Sequence, residues 1–144
     1  CAAAISLTGA SWINVAPLLR VVAMLFVGIL GREITMDIND VADDKDHGVR
    51  TVPVVYGRKF ASTIGLFCNL GVSGFALSGP VLESVLGSPT GASMRRLGMA
   101  AVGSLALVRR SWQVFRSEGL DPGIVNRSVD EGLLTVVFLL ASFL

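Results

Sequence analysis

Residues 60–82 form an apolar run without a single charged side chain. An α-helix rises about 1.5 Å per residue, so a run of this length can cross a hydrocarbon core about 30 Å thick. Three more segments approach this length, with charges only near their ends, where long side chains can reach the interface. These segments are residues 17–37, residues 94–112 and the chain from residue 129 onward, and residues 1–14 are typical of the tail of a further helix. The pattern predicts an all-α, polytopic transmembrane helical bundle, and therefore an integral, multi-pass membrane protein.

The composition agrees with this prediction. The chain is 52% hydrophobic and only 16% charged, and its mean hydropathy is +0.67. Soluble domains usually carry about 25% charged residues, so a soluble bundle of buried helices is the less favoured alternative. A net charge of +1 gives no electrostatic reason to expect nucleic acid as a partner.

The distribution of basic residues predicts which loops share a membrane face. If the segments cross in succession, residues 38–59 and 113–128 lie on one face. That face and the helix ends touching it carry nine Lys and Arg residues, against three on the other face. Such a bias is typical of a cytoplasm-like side. It does not distinguish a plastid, mitochondrial or bacterial-type inner membrane.

Six of the eleven acidic residues lie between Glu33 and Asp46. If the helix continues past Asp37, four of them occupy positions i, i+4, i+7 and i+11, which share one helix face. These four are Glu33, Asp37, Asp40 and Asp44. Carboxylates stacked in this way repel one another unless a cation intervenes. Mg²⁺ suits them because it takes oxygen ligands, usually one or two carboxylates together with substrate phosphates. Asp40 and Asp44, one turn apart, are the predicted pair.

Three basic residues follow the acidic face closely: Lys45, Arg50 and Arg58. They can donate charge-assisted hydrogen bonds to phosphate oxygens, so they are candidate diphosphate-binding residues. Gly48 predicts that the helix ends near His47, before a loop that returns to the next span.

The acidic segment has two other interpretations. A solvated juxtamembrane loop that happens to contain aspartates requires no metal, and the spacing alone leaves this interpretation open. A calcium loop of the EF-hand type fails on register, because counting from Asp43 or Asp44 places valine where the bidentate Glu should stand. Cys1 and Cys68 lack metal-ligand spacing and are expected to be buried thiols outside any site.

The sequence from Arg32 to Gly57 reads R-E-I-x-M-D-I-x-D-x-x-x-D-x-x-x-G-x-R-T-x-P-V-x-x-G. It resembles the second aspartate-rich motif of the UbiA superfamily of membrane prenyltransferases. In that superfamily a bundle of about nine transmembrane helices, each with its backbone hydrogen bonds satisfied internally, holds two such motifs on one membrane side. Together they bind Mg²⁺ and an isoprenyl diphosphate. The resemblance implies that Asp40 and Asp44 bind the metal with help from Asp37.

The chain departs from the superfamily pattern in two ways. A separate first aspartate-rich motif, of the N-D-x-x-D type, has no counterpart, since Asn14 and Asn126 lack the aspartates that should follow, and Asn39-Asp40-x-x-Asp43 lies inside the motif already described. Residues 1–144 are therefore expected to be the C-terminal portion of one UbiA-type domain, inactive by itself. Asp43 also stands where related branches have Gly, and it would either contact the metal through water or face solvent.

The function implied by the resemblance is Mg²⁺-dependent transfer of a prenyl (alkyl) group. The donor would be a polyprenyl diphosphate and the acceptor an aromatic or other lipophilic molecule, as in quinone, tocopherol, chlorophyll or prenyl-lipid biosynthesis. Apolar helix faces would enclose the isoprenoid chain within the lipid bilayer. Two alternatives remain, an inactive membrane binding or assembly protein with this fold, and a transporter segment that binds cations.

Overall fold

A computed structural model of the chain describes residues 12–87 and 91–141. It consists of α1 (Trp12–Asp46), α2 (Val52–Tyr56), α3 (Arg58–Leu86), α4 (Gly91–Arg116) and α5 (Pro122–Ala141). The described residues contain no β-strand, so the all-α prediction is confirmed for them. The predictions for Cys1, for residues 2–11, for the turn at residues 88–90 and for residues 142–144 fall outside the described part of the chain.

As far as the described residues go, each predicted span lies within one long helix, and each helix extends beyond the span at one end or both. The span at residues 17–37 is part of α1, which has 35 residues and continues to Asp46 without a break. Among the described helices, α3 is the one that is long and apolar enough to cross a membrane. A core helix of a soluble protein can pass the same test, so helix composition shows one possible span and not a multi-pass arrangement.

Capping interactions define the end of α1 and the start of α5. At the end of α1, the Val49 amide donates to the Asp44 carbonyl (2.7 Å) and the Gly48 amide to the Lys45 carbonyl (3.2 Å). With Gly48 at φ +71°, this is the Schellman arrangement, which satisfies carbonyls that the helix leaves unpaired. At the start of α5, the Asp121 carboxylate accepts from the amides of the second and third helical residues at 2.9 and 3.2 Å, as an N-cap does.

The four long helices pack as a ring, in which α1 and α4 each contact both α3 and α5. Two buried clusters fill the ring, and each takes residues from all four helices. The first consists of Met24, Val72, Ala76, Leu107 and Leu139, and the second, below the acidic segment, of Ile34, Ile38, Ala61, Val114 and Val125.

The outer surface of the ring carries large apolar side chains, whereas several polar side chains are buried inside it. One large apolar side chain on each long helix is about two-thirds exposed: Phe26 (68%), Phe67 (66%), Leu105 (71%) and Leu134 (70%). Several hydroxyl side chains are buried instead, among them Thr35, Ser62, Ser73, Ser104, Ser111 and Thr135. Soluble monomers rarely expose extended apolar surface, whereas small and hydroxyl-bearing residues are enriched between helices that pack in lipid.

Two glycines lie in the contact between helices α1 and α3. A Cβ on Gly31 would lie 2.7 Å from the Cβ of Cys68, and one on Gly65 would lie 3.0 Å from the Thr35 hydroxyl. Thr35 itself donates to the Gly31 carbonyl at 2.7 Å, which keeps its side chain against its own helix. The two backbones can therefore approach closely only because these positions carry no side chain.

We expect Gly31→Ala to destabilise the folded chain by about 1–3 kcal/mol, the usual cost of overpacking a tight contact. Gly74→Ala is the matched control on α3, because a Cβ there meets nothing within 4 Å. Since Ala has the higher helix propensity by about 1 kcal/mol, the control should be neutral or stabilising. Thermal unfolding of both variants in detergent measures the difference, and equal melting temperatures would contradict the close approach.

Candidate metal and diphosphate site

Four of the six acidic residues of α1 share one side of a continuous helix. Because α1 does not break before Asp46, the side chains of Glu33, Asp37, Asp40 and Asp44 align along it at 3.6 residues per turn. Asp37 and Asp44 are half-buried, and the other two are exposed. The alignment predicted from the spacing therefore holds in the structure.

This acidic face is turned away from the core of the ring. The buried residues at this end of α1 include Ile34, Ile38 and Val41, whereas Glu33 and Asp40 are exposed. The carboxylates are therefore presented on the outer side of α1, with the four-helix core behind them.

The same outer side of α1 is apolar in the preceding turns. Val22, Phe26 and Ile29 are exposed and precede Glu33 at spacings of three or four residues, which keeps them in line with it. The exposed side of α1 thus changes from apolar to acidic along its length, and the change occurs between Leu30 and Glu33.

Electrostatics show that the carboxylates interact. Burial, followed by the charges of Asp44, Glu33 and Asp40 in decreasing order, raises the pKa of Asp37 above its ordinary value. Each cause disfavours the ionised form of Asp37. A cation bound at this face would relieve the repulsion among the charges.

Asp44 is held by the chain that follows α1. Its main-chain carbonyl accepts from the Val49 amide, and its carboxylate oxygen Oδ2 accepts from the Thr51 hydroxyl at 2.8 Å. Exposed Asp43 makes a different local contact, since His47 Nδ1 lies 2.9 Å from its carbonyl and 3.4 Å from its carboxylate.

The structure separates two of the basic candidates from the aspartates. Lys45 and Arg58 line a surface pocket of about 550 Å³ between α1, α2 and the start of α3, together with Asp46. Because Lys45 follows Asp44 by one residue, it points about 100° away around the helix. Arg50 is exposed in the turn between α1 and α2. The site as described therefore combines one carboxylate face with a neighbouring basic pocket.

The donor set fits magnesium by its chemistry. Asp37, Asp40 and Asp44 supply only carboxylate oxygens, the ligands that this ion prefers. Within residues 12–87 and 91–141, no group of three or more His, Cys, Asp or Glu side chains is arranged to hold a metal ion. A magnesium site completed by substrate phosphates needs only one or two carboxylates from the protein.

A second cavity, of about 170 Å³, lies next to the acidic segment and is lined by all four long helices. Its lining is mostly apolar, and its polar members are Arg32, Thr35, Asn69 and Ser128. Arg32 donates to the Glu33 carboxylate at 2.7 Å, and its Nε is buried without a hydrogen-bond partner. Arg32 therefore stands where the apolar cavity meets the acidic face.

Sequence reasoning missed two pairs of polar side chains that join the helices. Asn69 Nδ2 donates to the Ser111 hydroxyl, and Asn39 Nδ2 donates to the Asn126 side-chain oxygen. Asn69 could have been found as the one amide side chain within the uncharged run at residues 60–82. The pairing of Asn39 with Asn126 has no signal in the sequence, because 87 positions separate them.

Comparison of the chain with known proteins found no matching family model, no matching curated protein and no matching solved structure. The resemblance to the UbiA superfamily therefore rests on the sequence motif between Arg32 and Gly57 and stays a prediction.

The raised pKa of Asp37 predicts how stability depends on pH in the metal-free chain. Because the folded state disfavours the ionised carboxylate, the free energy of unfolding should fall as pH rises from the ordinary aspartate pKa through the raised one. Asp37→Asn should remove that loss. Its advantage in melting temperature over the unmodified chain, measured in detergent with EDTA, should grow across this interval and then level off. A difference that is constant with pH would contradict the interaction among these carboxylates.

Proposed function

We propose that the chain is one portion of a multi-pass, magnesium-dependent intramembrane prenyltransferase of the UbiA type. It would move an isoprenyl group from a polyprenyl diphosphate to an aromatic or other lipophilic acceptor. The observation that carries this proposal is the exposed side of α1, which is apolar through Ile29 and acidic from Glu33 onward. An isoprenyl diphosphate has the same division, an apolar chain joined to a polyanion that travels with a divalent cation.

The exposed apolar residues support the multi-pass part of the proposal. Each of the four long helices carries large apolar side chains on its outer surface, where water would be an unfavourable neighbour and lipid a favourable one. The part of α1 from Glu33 to Asp46 would project beyond the hydrocarbon, at the membrane face that the basic residues mark.

Asp40 and Asp44 would hold the magnesium ion, with Asp37 beside them. When bound, the ion would supply Lewis-acid neutralisation of the diphosphate leaving group. Arg50, exposed in the turn after α1, would donate to phosphate oxygens, and Lys45 and Arg58 would donate from the neighbouring pocket. In the overall reaction the allylic carbon–oxygen bond breaks, diphosphate leaves with the electron pair, and the acceptor forms the new bond and releases a proton.

The apolar part of α1 would protect the reacting carbon from water. Val22, Phe26 and Ile29 would contact the isoprenoid chain, and Ile29 also lines the apolar cavity. Exclusion of water matters because water competes with the acceptor for the electron-deficient allylic group. A site built on the outer side of α1 also needs a wall opposite the carboxylates. We propose that the first aspartate-rich motif, which is expected outside residues 1–144, supplies it.

We expect Asp40→Ala and Asp44→Ala each to abolish Mg²⁺-dependent prenyl transfer in the natural polypeptide that contains this chain. The reason is the loss of a metal ligand from a site with only two or three carboxylates. Transfer is measured in membranes with Mg²⁺, labelled prenyl diphosphates of several lengths and a panel of acceptors. Glu83→Ala is the control, because Glu83 is an exposed carboxylate near the end of α3 and lies outside both the acidic segment and the basic pocket. Near-normal turnover in either aspartate variant would contradict the assignment of that aspartate as a magnesium ligand.

Binding separates the proposal from its two alternatives. An inactive assembly protein would bind Mg²⁺ with a non-reactive prenyl thiodiphosphate and transfer nothing to any acceptor. A cation-transporting segment would bind the metal equally well without diphosphate and would carry it across the membrane of a sealed vesicle. The prenyltransferase requires both diphosphate-dependent metal binding and transfer.

A further inference from the structure

Thr51, which follows the turn after α1, hydrogen-bonds to α1 through its hydroxyl instead of capping the helix that it precedes. Thr51 occupies the N-cap position of α2 with an extended backbone (φ −78°, ψ 166°), yet its side chain makes no capping hydrogen bond. A capping Thr normally stabilises its helix by about 1 kcal/mol. Here the hydroxyl instead donates to Asp44 Oδ2 at 2.8 Å, across seven residues.

Helix α2 tolerates the loss of this cap. Pro53, in its first turn, has no backbone N–H, so one of the amides that a cap would satisfy is absent. The helix is only five residues long and is closed by backbone bonds from Val55 to Thr51 (3.0 Å) and from Gly57 to Pro53 (3.1 Å). The hydroxyl of Thr51 can therefore donate its hydrogen bond to α1 instead of capping α2.

The intervening turn holds Thr51 in place. The Schellman bonds to the carbonyls of Asp44 and Lys45, with Gly48 at positive φ, determine the direction in which the chain leaves α1. Helix α2 then packs on α1. The backbone and the side chain of Asp44 are thus both bound by the segment between Gly48 and Thr51.

We propose that Thr51 is a positioning residue that orients the carboxylate of Asp44 toward the metal. An aspartate carboxylate has about four lone-pair sites, and Thr51 occupies one on Oδ2, which leaves Oδ1 available to a cation. Groups that orient metal ligands in this way typically change metal affinity by about 10- to 100-fold when they are removed. This inference rests on the proposed function, because it requires that Asp44 bind the metal.

The test compares Thr51→Val, which keeps the branched shape and removes the hydroxyl, with Thr51→Ser, which keeps the hydroxyl. The probe is Mn²⁺ titrated with inorganic diphosphate and followed by electron paramagnetic resonance, on the protein in lipid nanodiscs. We expect Thr51→Val to weaken Mn²⁺ binding about 10-fold or more and Thr51→Ser to restore most of it. The melting temperature without metal should differ little between the two variants.

The outcomes distinguish a positioning role from a structural one. If Thr51→Val lowers the melting temperature but leaves the Mn²⁺ affinity unchanged, Thr51 only ties α2 to α1 and the inference is wrong. If the valine variant does not fold, Thr51→Ala takes its place, and the same comparison with Thr51→Ser decides.

Asp40→Ala, measured in parallel, separates this inference from the proposed function. If the unmodified protein binds no Mn²⁺, or if Asp40→Ala binds it equally well, the metal site and the inference are both overturned. If Asp40→Ala abolishes binding while Thr51→Val leaves it intact, the metal site stands and only the role of Thr51 is rejected.

Discussion

The close packing of α1 on α3 determines how α1 is rotated, and the rest of the site depends on that rotation. Gly31 and Gly65 leave room for the opposing backbone and for Thr35, so this side of α1 must face inward. Because an α-helix turns about 100° per residue, placing one side inward also determines which residues face outward. Glu33 and Asp40 are exposed there because Gly31 and Thr35 face α3 on the inner side of the same turns.

The turn after α1 provides the second constraint. Gly48 allows the chain to reverse at positive φ, and the two Schellman bonds bring residues 48–51 back along the end of the helix. This places a hydroxyl donor against Asp44 and a basic pocket, with Lys45 and Arg58, on the neighbouring side. A helix end that simply frayed into solvent would leave these carboxylates without a defined orientation.

The loop between α4 and α5 also supports the acidic helix. Gly119, at φ +70°, lies so close to α1 that an added Cβ would be 2.6 Å from Ile38. The residue before it, Glu118, has a positive φ as well (53°), which is uncommon outside glycine, and its carboxylate binds Lys59 at 2.8 Å. Ile38, the residue after Asp37, is thus in contact with α3, α4 and the connection to α5. Such contact limits independent movement of the carboxylates.

The sequence alone determined the features that depend on local spacing. The helical character of the chain, the end of α1 near His47 and the alignment of four carboxylates follow from a period of 3.6 residues and from one glycine. Tertiary structure decided the rest, because contacts such as Thr51 with Asp44 and Asn39 with Asn126 depend on where the chain goes after each helix. It also decided that Lys45 and Arg58 share a pocket of their own. Arg58 reaches the pocket beside Lys45 because the chain reverses after α1 and begins α3 there, which no local spacing specifies.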